Sequence, residues 1–281
     1  MTAVLAISNR KGGSGKSTTA VNLAAEWGAR GVRTLLVDLD TQGHAGLGYG
    51  VVARRQEPSV HMIFTHPGFC LNEAIRSTAV ENVLVAPADL TFDGTSRERG
   101  ISTLNNQLRA ADITERFDLV ILDTPPSLDM LLINALAAAD AALVPMIPHA
   151  LSTEGVRQFT RLFFRVATSI KPDLKLLGIV PVMVNARVNH QRSVLREVGI
   201  EYGRGRMLDG VRMDIELAEA FSAGLPIRAF APFSRGAQDY RHLADELDDL
   251  WPPRRGAPPP DPAPLHARMT QPLDAIRGLS Q

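Results

Sequence analysis

Asn9-Arg10-Lys11-Gly12-Gly13-Ser14-Gly15-Lys16-Ser17-Thr18 is the run on which the reading of the chain turns. It follows an apolar, strand-like segment, Ala3 to Ser8, and opens a helical stretch, Lys16 to Arg30. Strand, glycine-rich turn and helix in that order make a phosphate cradle, because glycines let backbone N–H groups curl round phosphate oxygens where a side chain would block them. The helix behind presents the positive end of its dipole to the same anion. In this frame Gly12, Gly13, Ser14 and Gly15 form the cradle, Lys16 reaches the β- and γ-phosphates, Ser17 ligates Mg²⁺ and Thr18 bonds the α-phosphate. The plain alternative is a glycine-rich turn carrying two solvated lysines. The flanking strand and helix weigh against it.

Outward from the cradle, short apolar runs alternate with longer helical stretches. That is the signature of an α/β fold with a doubly wound, mostly parallel sheet and helices on both faces, here a P-loop NTPase. Strands are expected at Ala3 to Ser8, Arg33 to Val37, Asn82 to Val85, Asp118 to Leu122, Ala141 to Pro145 and Leu176 to Val184. Helices are expected at Lys16 to Arg30, Gly100 to Ala111, Met130 to Ala139, Ser152 to Ser169 and Ala237 to Leu250. Eight prolines fall in the last thirty residues, so residues 1–251 read as one domain and 252–281 as a disordered tail.

Two acidic loops lie at strand ends, the edge of the sheet that holds the cradle. The first is Asp38-Leu39-Asp40-Thr41-Gln42-Gly43; the second closes Phe117-Asp118-Leu119-Val120-Ile121-Leu122-Asp123-Thr124-Pro125-Pro126. Asp123 ends an apolar strand in the Walker B manner and is expected to hold a Mg²⁺-bound water. Taken singly, each loop also reads as an ordinary turn or strand terminator.

The plain Walker A pattern has glycine where Arg10 stands, and here a second lysine, Lys11, follows. Lys-Gly-Gly-x-Gly-Lys-Ser resembles the deviant Walker A of the ParA/MinD family. The resemblance continues through Asp-x-Asp at 38–40, Asp-Thr-Pro-Pro-Ser at 123–127, and Ser-Arg-Gly-Ala-Gln-Asp-Tyr at 234–240, spanning about residues 2 to 250. It implies an ATP-sandwich homodimer in which each Lys11 touches the partner's phosphates. It also implies that Asp40 positions the attacking water and that Asp38 lies near the metal. Catalysis is thus assigned to Lys11, Lys16 and Asp40, metal binding to Ser17, Asp38 and Asp123, and the cofactors are ATP and Mg²⁺. Asn185, expected at a strand end, stands where relatives place an amide that reads adenine. Thr41 replaces the family's usual proline and His44 its usual asparagine, which bears on the geometry of that loop.

The C-terminal half is rich in arginine: Arg187, Arg192, Arg196, Arg204, Arg206, Arg212, Arg228, Arg235 and Arg241. A sequence-independent grip on DNA needs several such forks on one face. By resemblance the contacts are assigned to Arg235 and Arg241, with Arg212 a further candidate; a solvated face with ordinary ion pairs is the alternative. The family's cargo is a plasmid or chromosome partition complex or a body such as a carboxysome, with a ParB-like or other adaptor stimulating slow hydrolysis.

Composition bounds these readings. Thirty basic residues balance thirty acidic ones, so a DNA grip must be a local patch. The lone Cys70 excludes a disulfide framework or an iron–sulfur site within one chain and reads as a packed hydrophobe. His44, His61, His66, His149 and His190 show no metal-ligand spacing. The chain opens on the first strand without a leader or helix-turn-helix extension, so a cytoplasmic, nucleoid-associated protein is expected. A MinD-like membrane-surface ATPase is the runner-up, but the proline-interrupted tail offers only Pro272 to Leu279 as apolar surface, so no membrane partner is expected. A ligase that phosphorylates a carboxylate is a further alternative, and Lys11 has no evident purpose in it.

Overall fold

A computed structural model describes residues 2–93 and 100–253. Its sheet is built from β1 (Ala3–Ile7), β2 (Thr34–Asp38), β3 (Arg76–Ser77), β4 (Val83–Ala86), β5 (Leu119–Asp123), β6 (Ala141–Met146) and β7 (Lys175–Pro181). The order is β3-β4-β2-β5-β1-β6-β7, and every pairing is parallel except β3 with β4. Strands buried on both faces need apolar residues throughout, and these have them. Val4 and Ala6 enter one core and Leu5 and Ile7 the other, the period-two alternation of a pleated strand.

Eleven α-helical segments cover the sheet among the described residues. They are α1 (Lys16–Ala29), α2 (His44–Leu47), α3 (Met62–Thr65), α4 (Thr103–Leu108), α5 (Ala111–Thr114), α6 (Met130–Ala138), α7 (Ala150–Ser169), α8 (Asn189–Tyr202), α9 (Ile215–Ser222), α10 (Ile227–Phe230) and α11 (Arg235–Leu250). One face is packed by α3 to α8 through residues such as Phe64, Leu104, Leu132, Phe159 and Val198. The other is packed by α1, α2 and α9 to α11 through Leu23, Trp27, Ala220, Ile227, Tyr240 and Leu243. Side-chain caps at Asp129, Asp214 and Ser234 start α6, α9 and α11 by accepting backbone N–H groups left free in a first turn.

The doubly wound sheet is therefore as expected, with departures in detail. The strand expected from Leu176 to Val184 leaves the sheet after Pro181, because Met183 takes a left-handed φ of 55°. The single helix expected from Gly100 to Ala111 is two short ones, α4 and α5. Cys70 is exposed rather than packed, its Sγ 3.7 Å from the Gly68 carbonyl. It sits on a loop at the start of a 3-10 turn, where no apolar face is offered to it. The expected tail, from residue 254 onward, lies outside the described residues.

Beyond β7, residues 207–213 run alongside the outer edge of the sheet. Leu208 N–H donates to Ile179 O at 3.0 Å, Val211 N–H to Pro181 O at 2.8 Å and Met213 N–H to Val184 O at 2.9 Å.

Candidate functional site

The carboxyl ends of β1, β2 and β5 bring the sequence motifs together. Register places Ile7 opposite Asp123, and Asp123 opposite Asp38. The cradle leaves β1 through Asn9, whose Nδ2 donates to Pro145 O at 2.8 Å and whose Oδ1 accepts Lys11 N–H at 3.0 Å, so both ends of the fully buried amide fix the start of the loop. Gly15, at φ 85°, leads directly into α1; a Cβ there would lie 2.8 Å from Val182 Cγ2, so only glycine fits both the backbone and the wall behind it.

The two lysines of the loop part company. Lys16 is buried, and burial lowers its pKa against the pull of Asp123 and Asp40, the anions that face it. Lys11 is half-buried and turns away, its Nζ donating to Ser152 Oγ at 3.0 Å on the first turn of α7. Gly155, one turn further along α7, keeps that approach open: a Cβ there would stand 3.0 Å from both Asn9 Oδ1 and Lys11 Cβ.

The three carboxylates differ in what they hold. Asp38 is fully buried; its Oδ1 accepts Asp40 N–H at 3.2 Å and its Oδ2 accepts Gly46 N–H at 2.8 Å, so it fastens the loop between β2 and α2. Burial pushes its carboxyl well above the usual carboxylate range, and the neighbouring Asp123 adds to that. Asp40 accepts Gln42 N–H at 3.1 Å and borders the cradle. Both oxygens of Asp123 are buried without a hydrogen-bond partner. Its pKa is pushed up to about 7, chiefly by burial, with the Ser17 hydroxyl and Lys16 pulling the other way. An orphaned carboxylate beside the Ser17 hydroxyl fits a hydrated magnesium ion, which binds through few protein oxygens and keeps several waters.

Two adjoining cavities give the site its shape. One, of about 310 Å³, is lined by Gly12 to Thr18, Asp40, Gln42, His44, Pro126, Met183 and Phe221. The other, of about 330 Å³, shares Gly15, Thr18, Met183 and Phe221 and is walled by apolar Val182, Val211, Met213, Leu217 and Ala218. A polar half that donates backbone N–H groups, continuous with an apolar half, fits a phosphate chain and its nucleoside. Sequence reasoning missed that apolar wall: Val211 and Met213 lie between regular elements, where periodicity carries no signal, and Leu217 lies on the short helix α9, which is not among the expected helices.

Other nominated residues lie elsewhere. Asn185 is not among the residues of either cavity; its Oδ1 accepts Arg187 N–H at 3.0 Å and its N–H donates to Gln191 Oε1 at 2.7 Å. Arg212 borders the apolar cavity, its guanidinium held by Asp239 at 2.7 and 2.9 Å. Arg235 and Arg241 are exposed on α11. His61 is buried beneath the first acidic loop: Nδ1 accepts Asp89 N–H at 2.9 Å, which leaves Nε2 to donate to Leu39 O at 3.2 Å.

Cradle, paired strand-end carboxylates and a doubly wound sheet define a P-loop nucleoside triphosphatase with a second lysine ahead of the cradle. A family model described as an AAA domain matches residues 2–176. The sporulation initiation inhibitor protein Soj of Bacillus subtilis is 36% identical over 249 residues, covering 87% of this chain and 97% of that protein. The chromosome-partitioning ATPase Soj of Thermus thermophilus is 38% identical over 243 residues, covering 86% and 94%. Among solved structures, one described as cobyrinic acid a,c-diamide synthase of Mycobacterium smegmatis with bound ADP and magnesium has a TM-score of 0.76 at 32% identity, covering 93% of this chain and all of that one. The chain belongs to the ParA/Soj family of P-loop partitioning ATPases.

Proposed function

We propose that this protein is a positioning ATPase of the ParA type: it binds ATP and Mg²⁺, closes into a sandwich dimer, holds nonspecific DNA in the cytoplasm, and is released when a cargo adaptor stimulates slow hydrolysis. The observation that carries the reading is the divergence of the two loop lysines. Lys16 is enclosed with Asp40 and Asp123, whereas Lys11 stands outside its own cradle on a hydroxyl of α7. A second ammonium so close to a phosphate site, yet turned from it, suits a phosphate held by another subunit. Phosphoryl transfer asks for position and charge neutralisation, which Lys16, the cradle amides and the neighbouring carboxylates supply. The bound metal ion would neutralise the phosphate chain, with Ser17 and the water-linked Asp123 holding it, while Asp40 would orient the attacking water.

An adaptor with a basic segment is supported by a cavity of about 350 Å³ beside Asp40, whose rim carries Asp40, Asp93 and Asp129. DNA is supported by the arginine-rich half of the chain, with Arg235 and Arg241 exposed for it. The test is light scattering and phosphate release with ATP for wild type and Lys11→Ala. ATP-dependent dimerisation lost in Lys11→Ala supports the reading; equal hydrolysis by a monomer in both ends it.

The likeness to the diamide synthase structure favours one other reading, a ligase that activates a carboxylate with ATP. The same acidic rim opposes it, since an anionic acceptor approaching the terminal phosphate would meet Asp40, Asp93 and Asp129. Turnover that depends on a small carboxylate acceptor, with neither DNA nor adaptor present, would reverse the ranking.

A further inference from the structure

We propose that the main grip on DNA phosphates is the outer edge of the sheet, which carries Arg192 and Arg196 of α8 and Arg204 and Arg206 of the following 3-10 turn (Arg204–Arg206), rather than α11. This rests on the reading of the protein as a DNA-bound ATPase and moves its contact surface.

Charge sorting on α8 makes the argument. At about 100° per residue, Arg192 and Arg196 fall on one stripe and Glu197 and Glu201 on another, turned from it by about 140°. The glutamates are engaged by Arg157 of α7, at 3.2 Å from Glu197 and 2.8 Å from Glu201. Two further carboxylates lie on that edge: Asp209, whose Oδ2 is 2.8 Å from His242 Nε2, and Glu246, which accepts the Asp209 N–H at 3.0 Å. Arg187, Arg192, Arg196, Arg204 and Arg206 are all exposed, and none of them is in an ion pair among the described residues. Arg192 is oriented by Asn189 Oδ1 and Arg206 by the Leu176 carbonyl, neutral acceptors that leave the charge uncompensated.

Arg196 and Arg204 border a cavity of about 520 Å³ whose lining also includes Gly199, Gly210, Leu195, Met207, Leu208 and one carboxylate, Asp209. Two guanidinium forks at the lip of a glycine-walled hollow suit phosphodiester oxygens, which they hold without reading bases. On α11, by contrast, Arg235 and Arg241 point about 120° apart around the axis, and the exposed Asp249 lies on the arc between them, beside Asp245, which Arg30 holds at 2.8 Å. Arg212 is already closed by Asp239.

The test is fluorescence anisotropy of the full-length ATP-trapped Asp40→Ala protein with a random-sequence duplex, titrated across salt, in three forms: parent, Arg196→Glu/Arg204→Glu and Arg235→Glu/Arg241→Glu. The proposal expects the first pair to weaken binding at least tenfold and to lower the slope of log K against log salt by roughly two, and the second pair to change affinity less than threefold. Arg196→Gln/Arg204→Gln, with an unchanged melting temperature, should show an intermediate loss. Affinity and slope within twofold of the parent in both α8 variants, or a loss confined to the α11 pair, overturns the assignment and leaves the DNA reading standing. No binding by the ATP-bound parent overturns the DNA reading itself, and this surface with it.

Discussion

Asp38 and Asp123 face each other across adjacent strands, both sealed from solvent, yet only Asp38 has backbone donors for its oxygens, Asp123 having the Ser17 hydroxyl and Lys16 near it. That inequality separates a carboxylate that shapes a loop from one with capacity for a metal. Asp40, joined to Asp38 by its own N–H, inherits its place from that loop. Asp40→Ala is expected to bind ATP with near wild-type affinity and to release phosphate at less than a tenth of the wild-type rate, as measured by nucleotide titration and a phosphate-release assay; undiminished release removes Asp40 from the hydrolytic step. His61 supports the same loop from below. Burial lowers its pKa from 6.5, opposed by the Leu39 carbonyl and by Asp89, Asp40 and Asp129. The unfolded chain therefore binds that proton more tightly, so the contribution is whole above pH 6.5 and is lost as pH falls through the folded value. Denaturant melts at pH 7.5 and 5.5 are expected to show wild type losing stability relative to His61→Gln on acidification. Parallel losses would remove His61 from the acid response.

Elements are joined at few but specific points. Glu26 of α1, 1% exposed at its side chain, meets Arg228 of α10 at 2.9 Å, while its Oε1 has no partner. Its pKa is raised, by burial first, with Arg228, Arg241 and Arg30 acting against that rise. Removing the guanidinium leaves a buried carboxylate with neither oxygen bonded, so Arg228→Ala is expected to cost about 1–3 kcal/mol in urea unfolding, the lower end reflecting an arginine that is itself more than a third exposed. Glu26→Gln should cost less, since the neutral amide removes the buried charge; a larger loss in Glu26→Gln would contradict the account.

At this scale the limits of the sequence are also plain. The runs that became β1, β2, β5 and β6 are continuous apolar stretches ending in chemistry, and length and polarity alone mark them. β3 is a two-residue edge strand set by pairing with β4, and α9 is positioned by Asp214, whose Oδ2 reaches Gly236 N–H of α11 at 2.8 Å. Such long-range partners leave no local signature. For the same reason the cradle and its aspartates could be read from their order along the chain, whereas the apolar wall at Val211 to Leu217 and the Ser152 contact could not.

Taken as a whole, the molecule is a rigid sheet with its chemistry along one edge, and ligand binding there should register as global stability. A ligand that binds only the native state adds about 2.7 kcal/mol at a hundredfold excess over Kd. For a domain of this size that corresponds to a rise in Tm of roughly 5–11 °C. Mg²⁺–ATP is expected to produce such a rise in wild type and none in Lys16→Ala. An equal rise in both would remove Lys16 from phosphate binding. Among the described residues no helix is long and apolar enough to cross a membrane.

Residues 207–213 are laced to β7 by backbone bonds, and Val182, just past the end of that strand, is the wall against which Gly15 rests. Arg206, bonded to the Leu176 carbonyl, is thus moored to the same strand whose continuation backs the cradle. If the proposed DNA grip lies on that edge, a load applied there would pass through the sheet itself, and the grip and the nucleotide pocket would feel the strain together.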